Sequence, residues 1–262
     1  MIRVGVIGAS GRMGRTVVRA VAETDDIELV AAVDRSDVGV DAGSLAGVGV
    51  VGVPVAGSLD ALASAGAEVA VDFTHPDVVM DDVRWCLANG VHVVVGTTGV
   101  SPADLDEIER AANAGRANAI VASNFALGAV LMQRFAAEAA RHLPAVEIIE
   151  LHHDGKADAP SGTALATARR LEGERVEAWR GPDGSTLEGA RGADVGGVRI
   201  HSVRLPGLVA HQEVIFGAAG QTLTIRHDSM DRVSFMPGVL MAVRAVASRP
   251  GLTIGLDPLL EP

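Results

Sequence analysis

The chain has 262 residues, 48% hydrophobic content and 31 glycines, which suits one large or two modest α/β domains with many tight turns. Its formal net charge of −11 argues against a nucleic-acid partner, because phosphate binding requires a basic surface. The single cysteine, Cys86, excludes an internal disulfide, and no apolar run reaches the ~20 residues of a membrane helix, so we expect a cytoplasmic protein with no membrane partner.

The first half of the sequence alternates strands with helices, a pattern typical of a doubly wound parallel sheet. Helices are predicted to begin near residues 13, 76 and 101, the last with Ser101 as N-cap and Pro102 at its first position. The stretch 36–66 is rich in glycine and valine and has no clear pattern. The predicted strands are 2–7, 28–33, 69–73, 91–95 and 119–122.

A glycine-rich loop joins the first strand to the first helix. Its spacing is Gly-x-x-Gly-x-x-Gly over residues 8–14, with Ser10 where the usual dinucleotide fingerprint has its second glycine. Such a loop lets the backbone approach a pyrophosphate at a helix N-terminus. A purely structural tight turn is the alternative explanation.

Asp34 lies about twenty residues beyond this loop, at the end of the second strand. A carboxylate there accepts hydrogen bonds from ribose hydroxyls and repels a 2′-phosphate, which favours NAD. Arg35, or Arg12 in the glycine loop, would instead attract that phosphate. We therefore predict NADH and/or NADPH as the cofactor.

The other strands of this half also end in small polar residues. Ligands of open α/β sheets bind beyond the carboxyl ends of the strands. Three such loops at the same edge of the sheet therefore favour a nicotinamide pocket, with ordinary turns as the alternative. His75 alone more often caps a loop than catalyses a reaction. The three loops are Phe73-Thr74-His75, Gly96-Thr97-Thr98-Gly99 and Ser123-Asn124-Phe125.

The pattern changes after residue 126 and predicts a second domain with an antiparallel or mixed sheet. Helices are predicted at 127–142 and 161–171, and a further helix at 233–247 is expected to pack on the first domain. Residues 172–196, rich in glycine and charge, are predicted to form an exposed excursion. The predicted strands are 146–151, 198–205, 211–216 and 222–227.

The densest run of reactive side chains, residues 147–164, contains Lys156, the one lysine among 22 lysines and arginines. Lysine offers a compact point charge with three donors where arginine offers a planar fork, so a lone lysine suggests a specific role, with chance as the alternative. Ser161 is predicted to cap a helix, so the amides of Gly162 and Thr163 form an anion site. Together these features predict a pocket for carboxylates.

His152 and His153 bring two imidazoles suited to general-acid chemistry near neutral pH. Adjacent side chains of an extended segment face opposite ways, so the two are expected to have different roles. Adjacent histidines are poorly spaced for chelation, and no metal is predicted. Glu147 and Glu150 are interpreted as structural partners, with Glu150 orienting or pairing with a neighbouring cation. Several later residues are further candidates among which the sequence does not choose: Arg204, His211, Arg226, His227 and Arg232.

These motifs together resemble the 4-hydroxy-tetrahydrodipicolinate reductases, also called dihydrodipicolinate reductases, over nearly the whole chain. The most specific element is the signature Glu-[Ile/Val]-x-Glu-x-His-x-x-x-Lys-x-Asp-x-Pro-Ser-Gly-Thr-Ala, which residues 147–164 match throughout. The glycine loop and the three strand-end loops match the family's cofactor loops in order. Asp154-Gly155 departs from the family pattern, because many members have bulkier or basic residues there.

The resemblance implies a Rossmann-like doubly wound parallel sheet domain, residues 1–125 completed by 230–262. It also implies a smaller α+β domain with a mixed sheet, residues 126–229, that binds the substrate and builds a homotetramer. The implied reaction is NAD(P)H-dependent reduction of 4-hydroxy-tetrahydrodipicolinate, a small dicarboxylate, to tetrahydrodipicolinate in diaminopimelate and lysine biosynthesis, with hydride going to C4.

Carried over by position, the resemblance makes His152 the proton donor and Lys156 its catalytic partner. It assigns His153, with the amides of Gly162 and Thr163, to a substrate carboxylate. The alternatives are another two-domain dehydrogenase of the aspartate pathway and a non-catalytic NAD(P)-sensing protein. From the loops and the resemblance together, the predicted cofactor contacts are Gly8, Ala9, Ser10, Gly11, Arg12, Met13, Asp34, Arg35, Phe73, Thr74, His75, Gly96, Thr97, Thr98, Ala122, Ser123, Asn124 and Phe125.

Overall fold

The computed structural model describes residues 1–176, 179, 181 and 185–260. The chain divides into two compact units, one formed by Met1–Phe125 with Phe235–Pro262 and the other by Ala126–Ser234. In this described part of the chain, no helix is both long and apolar enough to cross a membrane.

Strands and helices alternate through residues 1–125, whereas strands follow one another in the later part of the second unit. The strands are β1 Ile2–Ile7, β2 Ile27–Val33, β3 Val55–Ala56, β4 Val69–Asp72, β5 His92–Val95, β6 Ala119–Val121, β7 Ala145–His152, β8 Ala193–Val195, β9 Val198–Arg204, β10 Ala210–Ala218, β11 Gln221–Ser229 and β12 Leu252–Ile254. The helices are α1 Arg12–Ala22, α2 Ala42–Ala46, α3 Asp60–Ser64, α4 Val79–Ala88, α5 Pro102–Ala114, α6 Leu127–Ala140, α7 Gly162–Glu174 and α8 Met236–Val246.

The first unit is built on a seven-stranded sheet of order β12-β6-β5-β4-β1-β2-β3, in which every neighbouring pair is parallel. Its strands are almost continuous runs of valine, isoleucine and alanine because both faces are buried. One core cluster joins the sheet to α3, α4 and α5 through residues such as Leu62, Val83 and Ile108. Helices α1 and α8 contact each other and lie outside that cluster. Helices therefore cover both faces, which confirms the Rossmann-like, doubly wound prediction.

The second unit has a five-stranded sheet of order β11-β10-β7-β9-β8. Strand β7 runs parallel to β9 and antiparallel to β10, and the other pairs are antiparallel, so the sheet is mixed as predicted. Helices α6 and α7 contact each other, and their small apolar residues share a core with the sheet, including Ala136, Ala168, Ile148 and Phe216. The same inward face carries Glu150, a fully buried carboxylate that follows Val146 and Ile148 on that face of β7.

The long periodic elements lie within three residues of their predicted ends, whereas five short ones were missed: α2, β3, α3, β8 and β12. The predicted N-cap Ser101 is confirmed, since its hydroxyl accepts from the Asp104 amide in a reciprocal capping box. The expected excursion 172–196 contains the end of α7, exposed residues 185–190 and then β8. Residues 177, 178, 180 and 182–184 of that prediction lie outside the described residues.

Candidate active site

The loop between β1 and α1 is packed so tightly that it requires glycine. Gly8 has a φ of +79°, in the left-handed region that favours glycine. A Cβ on Gly14 would lie 2.0 Å from the Gly8 carbonyl oxygen, whereas one on Gly11, the N-cap of α1, would lie 3.2 Å from that atom. A backbone cradle at the N-terminus of an eleven-residue helix fits the pyrophosphate of a dinucleotide.

The carboxylate of Asp34 joins this loop to the segment after β2. Its Oδ2 accepts from the Ser10 amide at 3.0 Å and its Oδ1 from the Ser36 amide at 2.9 Å. The bond from Ser10 fixes the end of β2 beside the glycine loop, and the bond from Ser36 shapes the turn that follows β2. A cavity of about 690 Å³ opens beside it in the same unit. Seven of the predicted cofactor residues line this cavity: Gly8, Gly11, Asp34, Arg35, Phe73, Thr74 and His75.

The three strand-end loops that follow β4, β5 and β6 are in contact with one another. The Thr74 amide donates to Thr97 Oγ1 at 2.7 Å, which connects the first loop to the second. The rings of Phe73 and Phe125 lie 5.8 Å apart, which connects the first loop to the third. A Cβ on Gly96 would be 2.1 Å from the Phe73 ring, so a side chain there would require that ring to move. The structure therefore brings together at one sheet edge the loops that were expected to meet.

The individual side chains of these loops differ in exposure. Ala9, Ala122 and Phe125 are buried, so the first two offer a ligand only backbone. Met13 and Asn124 are half-buried. The exposed members of the predicted set include Gly11, Arg12, Arg35, His75, Thr98 and Ser123.

In the second unit, Glu150 organises the end of β7. Parallel pairing with β9 places His152 opposite Arg204. The two terminal nitrogens of Arg204 donate to the two oxygens of Glu150, each at 2.8 Å. Glu150 Oε2 also lies 2.5 Å from His152 Nδ1, and Oε1 accepts from the Ser161 amide at 3.3 Å. One buried carboxylate thus holds the histidine, the arginine and the start of α7.

These contacts set the ionisation of the pair. Burial favours a higher pKa for Glu150, but the hydrogen bonds from Arg204, Ser202 and His152 hold the pKa of that carboxyl below its usual range. Burial lowers the pKa of His152, and the charges of Lys156 and Arg204 add to this, while Glu150 opposes it. The imidazolium form of His152 therefore depends on the Glu150 charge.

Lys156 is held by Asp158, with Nζ 2.7 Å from Oδ1 and 2.9 Å from Oδ2. The ammonium, through these hydrogen bonds, lowers the pKa of the Asp158 carboxyl. The carbonyl of Asp158 accepts from Arg204 at 2.6 Å, so the same arginine that holds Glu150 also fixes the lysine turn. The Lys156 amide donates to the His153 carbonyl at 3.2 Å, closing the turn.

Ser161 caps α7 as predicted, because its hydroxyl accepts from the Ala164 amide at 3.2 Å. A Cβ on Gly162 would meet nothing within 4 Å, so the first turn has open space beside it. His153 and Asp154 are exposed, whereas the side chain of His152 is only 14% exposed. The two histidines therefore have different surroundings, and Asp154 lies at the surface.

The structure also sorts the basic residues among which the sequence left the choice open. Arg204 belongs to the Glu150 cluster, whereas Arg226 pairs with Glu213 and Asp228. His211 is buried against Asp228, with Nδ1 2.6 Å from Oδ1. Glu147 pairs with Arg191 and His201, as expected of a structural partner. Among the described residues, no group of three or more side chains is arranged to hold a metal ion.

Arg204 is the functional candidate that sequence reasoning left undecided. The signal that points to it is Glu150 itself, because a carboxylate at an inward position of a strand needs hydrogen-bond donors or a cation beside it, and an arginine supplies both. The partner's position follows only from the parallel register of β7 and β9.

Comparison with known proteins places the whole chain in one group. A family model described as dihydrodipicolinate reductase, N-terminus, matches residues 2–125, and one described as the C-terminus of the same enzyme matches residues 128–260. The 4-hydroxy-tetrahydrodipicolinate reductase of Nocardia farcinica is 53% identical over 265 residues, covering 99% of each chain. That of Mycolicibacterium vanbaalenii is 52% identical over 264 residues, again covering 99% of each.

Among solved structures, a dipicolinate-bound dihydrodipicolinate reductase from Paenisporosarcina sp. TG-14 superposes with a TM-score of 0.88 at 43% identity, covering 99% of this chain and 100% of that one. An amine dehydrogenase from Mycobacterium smegmatis superposes with a TM-score of 0.66 at 16% identity, covering 96% and 94% of the two chains. The second likeness is one of fold alone.

Proposed function

The chain belongs to the dihydrodipicolinate reductase family, and we propose that His152, oriented by Glu150, is the proton donor of its reaction. The protein is an NAD(P)H-dependent oxidoreductase. It reduces 4-hydroxy-tetrahydrodipicolinate to tetrahydrodipicolinate in the diaminopimelate route to lysine. The observation that supports the catalytic assignment is the buried contact of 2.5 Å between Glu150 Oε2 and His152 Nδ1.

The loops of the first unit bind the cofactor in this proposal. The glycine loop holds the pyrophosphate, Asp34 lies beside the adenosine ribose, and the loops after β4, β5 and β6 surround the nicotinamide. The chemistry supplied by the bound nicotinamide is transfer of a hydride to C4 of the substrate. Arg35 and Arg12 are exposed cations at the same edge, which supports use of either NADH or NADPH.

Proton delivery is the task of the second unit. Glu150 accepts the Nδ1 hydrogen of His152, so Nε2 is the nitrogen that carries a transferable proton when the ring is charged. Loss of the 4-hydroxyl group of the substrate as water leaves a conjugated cyclic imine that accepts the hydride at C4. The resulting enamine then takes the proton from His152 at the adjacent ring carbon. Glu150 touches neither substrate nor cofactor in this scheme, and it acts as a positioning residue that fixes the tautomer and stabilises the imidazolium.

Substrate binding follows from the turn beside His152. Two carboxylates must be held, and the segment offers the Lys156 ammonium, the exposed ring of His153 and the N-terminal turn of α7 at Gly162 and Thr163. Asp158 keeps the ammonium in place before the substrate arrives. These groups neutralise the dicarboxylate while the ring is reduced.

The function is tested by the loss of NADH or NADPH absorbance with purified protein. The substrate is generated in the cuvette from pyruvate and aspartate semialdehyde by the preceding enzyme of the pathway. Oxidation that requires both precursors is the expected result, and the ratio of the two rates measures the combined effect of Asp34 and Arg35. Folded protein that binds NADH and consumes none would contradict the proposal and favour a sensor.

We also propose that the protein acts in the cytoplasm as a homotetramer assembled through its second unit. The outer face of that unit's sheet offers partly exposed apolar side chains, among them Ile149 and Ile215. Sedimentation equilibrium is expected to give four times the chain mass of 26.8 kDa. A concentration-independent monomer would contradict the assembly without affecting the reaction.

A further inference from the structure

A pair of carboxyl groups lies beneath the predicted nicotinamide loops, and neither has a role in the reaction described above. Asp72 ends β4 and is fully buried, and Asp82 is half-buried in the first turn of α4. Both carboxyl groups lie close to one hydroxyl, Thr74 Oγ1, which is 2.9 Å from Asp72 Oδ1 and 3.4 Å from Asp82 Oδ2. Two carboxyl groups this close favour sharing one proton over carrying two negative charges. The pair belongs entirely to the first unit.

The two oxygens of Asp72 have different surroundings. Oδ1 accepts from Thr97 Oγ1 at 2.5 Å, from Thr74 Oγ1 at 2.9 Å and from the Thr74 amide at 3.1 Å. These bonds connect the loop after β4 to the loop after β5. Oδ2 is buried and receives no hydrogen from an amide, hydroxyl or guanidinium group of the described residues. A buried carboxylate oxygen without a hydrogen-bond donor raises the free energy of the folded protein, unless Asp82 supplies the missing hydrogen.

We propose that Asp72 and Asp82 are positioning residues for the cofactor, in which protonated Asp82 donates to Asp72 Oδ2 and thereby fixes the Thr74 and Thr97 loops. The inference rests on the proposed function, since those loops are the ones assigned to the nicotinamide. Oδ1 accepts three hydrogen bonds and is the charged end of the pair. Asp82 has one weak contact of its own, 3.4 Å from Thr74 Oγ1, so the proton resides on Asp82.

The pair makes cofactor binding depend on pH. Burial and then the charge of Asp72 raise the pKa of Asp82 to about 7. Its proton is therefore present at pH 6 and lost by pH 8.5, where two carboxylates repel each other and the hydrogen bond is absent. Asp81 and the buried thiol of Cys86, both on α4, also act on or face the pair. Other charged or titratable groups line the same cavity as Asp82, namely Asp34, Arg35, His75 and Asp77. By linkage, NADH binding near pH 7 takes up protons.

The test is the dissociation constant of NADH for the full-length protein, measured by calorimetry from pH 6 to pH 8.5. NADH is the probe because the 2′-phosphate of NADPH titrates near pH 6. The wild type is expected to bind about tenfold more weakly at pH 8.5 than at pH 6, the effect of losing one hydrogen bond to a charged group. Repeating the titration in buffers of different ionisation enthalpy measures the proton uptake.

Three variants identify the group responsible. Asp82→Asn keeps a donor at every pH, so binding is expected to stay tight with no pH step and no proton uptake. Asp82→Ala removes the donor, so binding is expected to be weak at every pH. Asp81→Asn removes a neighbouring, exposed charge from the same helix and should keep the pH step in NADH affinity. The step should move to slightly lower pH, because the Asp81 charge helps to raise the pKa of Asp82.

Two results would overturn the inference. One is a wild-type affinity that does not change between pH 6 and pH 8.5. The other is a step that persists in Asp82→Asn, which would assign it to another group of the loop such as His75. Failure of the wild type to bind NADH at any pH would instead overturn the cofactor assignment of the whole first unit, so the two failures are distinguishable.

Discussion

The two units prepare their binding groups by different means. In the first unit the ligand-facing groups are mostly backbone, and Asp34 and Asp72 act by accepting hydrogen bonds from the loops. In the second unit the proposed ligand-facing groups include the side chains of His152 and Lys156, which the carboxylates of Glu150 and Asp158 hold. A buried carboxylate therefore organises loops in one unit and reactive side chains in the other.

This difference predicts where each unit is sensitive to mutation. Backbone sites fail when a side chain is added where glycine is required, because the loop itself must move. Charged clusters fail when one partner is removed, because the remaining charge stays buried without compensation. The following experiments compare the two kinds of sensitivity.

The largest effect on stability is expected from Glu150→Ala. It leaves Arg204 and His152 without their buried partner, so the free energy of unfolding should fall by about 3–5 kcal/mol. Denaturant unfolding at fixed protein concentration measures it. Glu147→Ala is the matched control on the same strand, because its partners Arg191 and His201 are partly exposed and the loss should be at most about 1 kcal/mol. Equal losses of unfolding free energy in the two variants would show that the buried Glu150 cluster stabilises the protein no more than the partly exposed pairs of Glu147 do.

Gly14→Ala tests the backbone side of the comparison. The added Cβ would sit 2.0 Å from the Gly8 carbonyl oxygen and 2.8 Å from the Ala9 Cα, so the loop must move at a cost of about 1–3 kcal/mol. When this free-energy cost is taken from the binding free energy of NADH, the affinity falls by about 5- to 150-fold. Gly11→Ala, whose Cβ would be 3.2 Å from the same oxygen, should weaken it less. The reverse order would contradict the packing of the loop.

Lys156→Arg tests whether the lone lysine matters as a point charge. A guanidinium keeps the charge but not the compact geometry that Asp158 holds, so kcat/KM should fall about tenfold, with Lys156→Ala lower still. Steady-state kinetics with varied substrate measures both. Near-normal activity of the arginine variant would mean that the single lysine reflects chance.

The smallest effect is expected in the pH profile of Glu150→Gln. A general acid is active when protonated, so kcat/KM falls as pH rises through the pKa of His152 in the free enzyme. The Glu150 charge raises that pKa against burial, and removing the charge should move the falling limb to lower pH. A falling limb at the same pH in Glu150→Gln and the wild type would show that Glu150 does not set the pKa of His152.

The predictability of the fold follows the length of its elements. Strands such as β1 have enough residues to show a hydrophobic pattern, and helices such as α5 also contain their own capping residues. Strand β3 has two residues and helix α2 five, so tertiary contacts define them. Arg19, for instance, donates to the Ala46 carbonyl at the end of α2, and no local pattern records such a contact.

The parts of the candidate site that depend on residues close together in the sequence were predictable. The cap at Ser161 and the glycine loop follow from residue spacing alone. The pairing of Glu150 with Arg204 spans 54 residues and depends on strand register. The proposed pairing of Asp72 with Asp82 depends on how α4 packs against β4. The sequence therefore left Arg204 among several candidates and indicated neither aspartate.

The central claim, that the second unit donates the proton through His152 while the first unit binds the cofactor independently, is tested most directly by His152→Gln beside His153→Gln. We predict that His152→Gln lowers kcat by ~10²–10⁴-fold with an unchanged dissociation constant for NADH. His153→Gln should mainly raise KM for the substrate, because its exposed ring is assigned to a carboxylate. Wild-type turnover in His152→Gln would contradict the account.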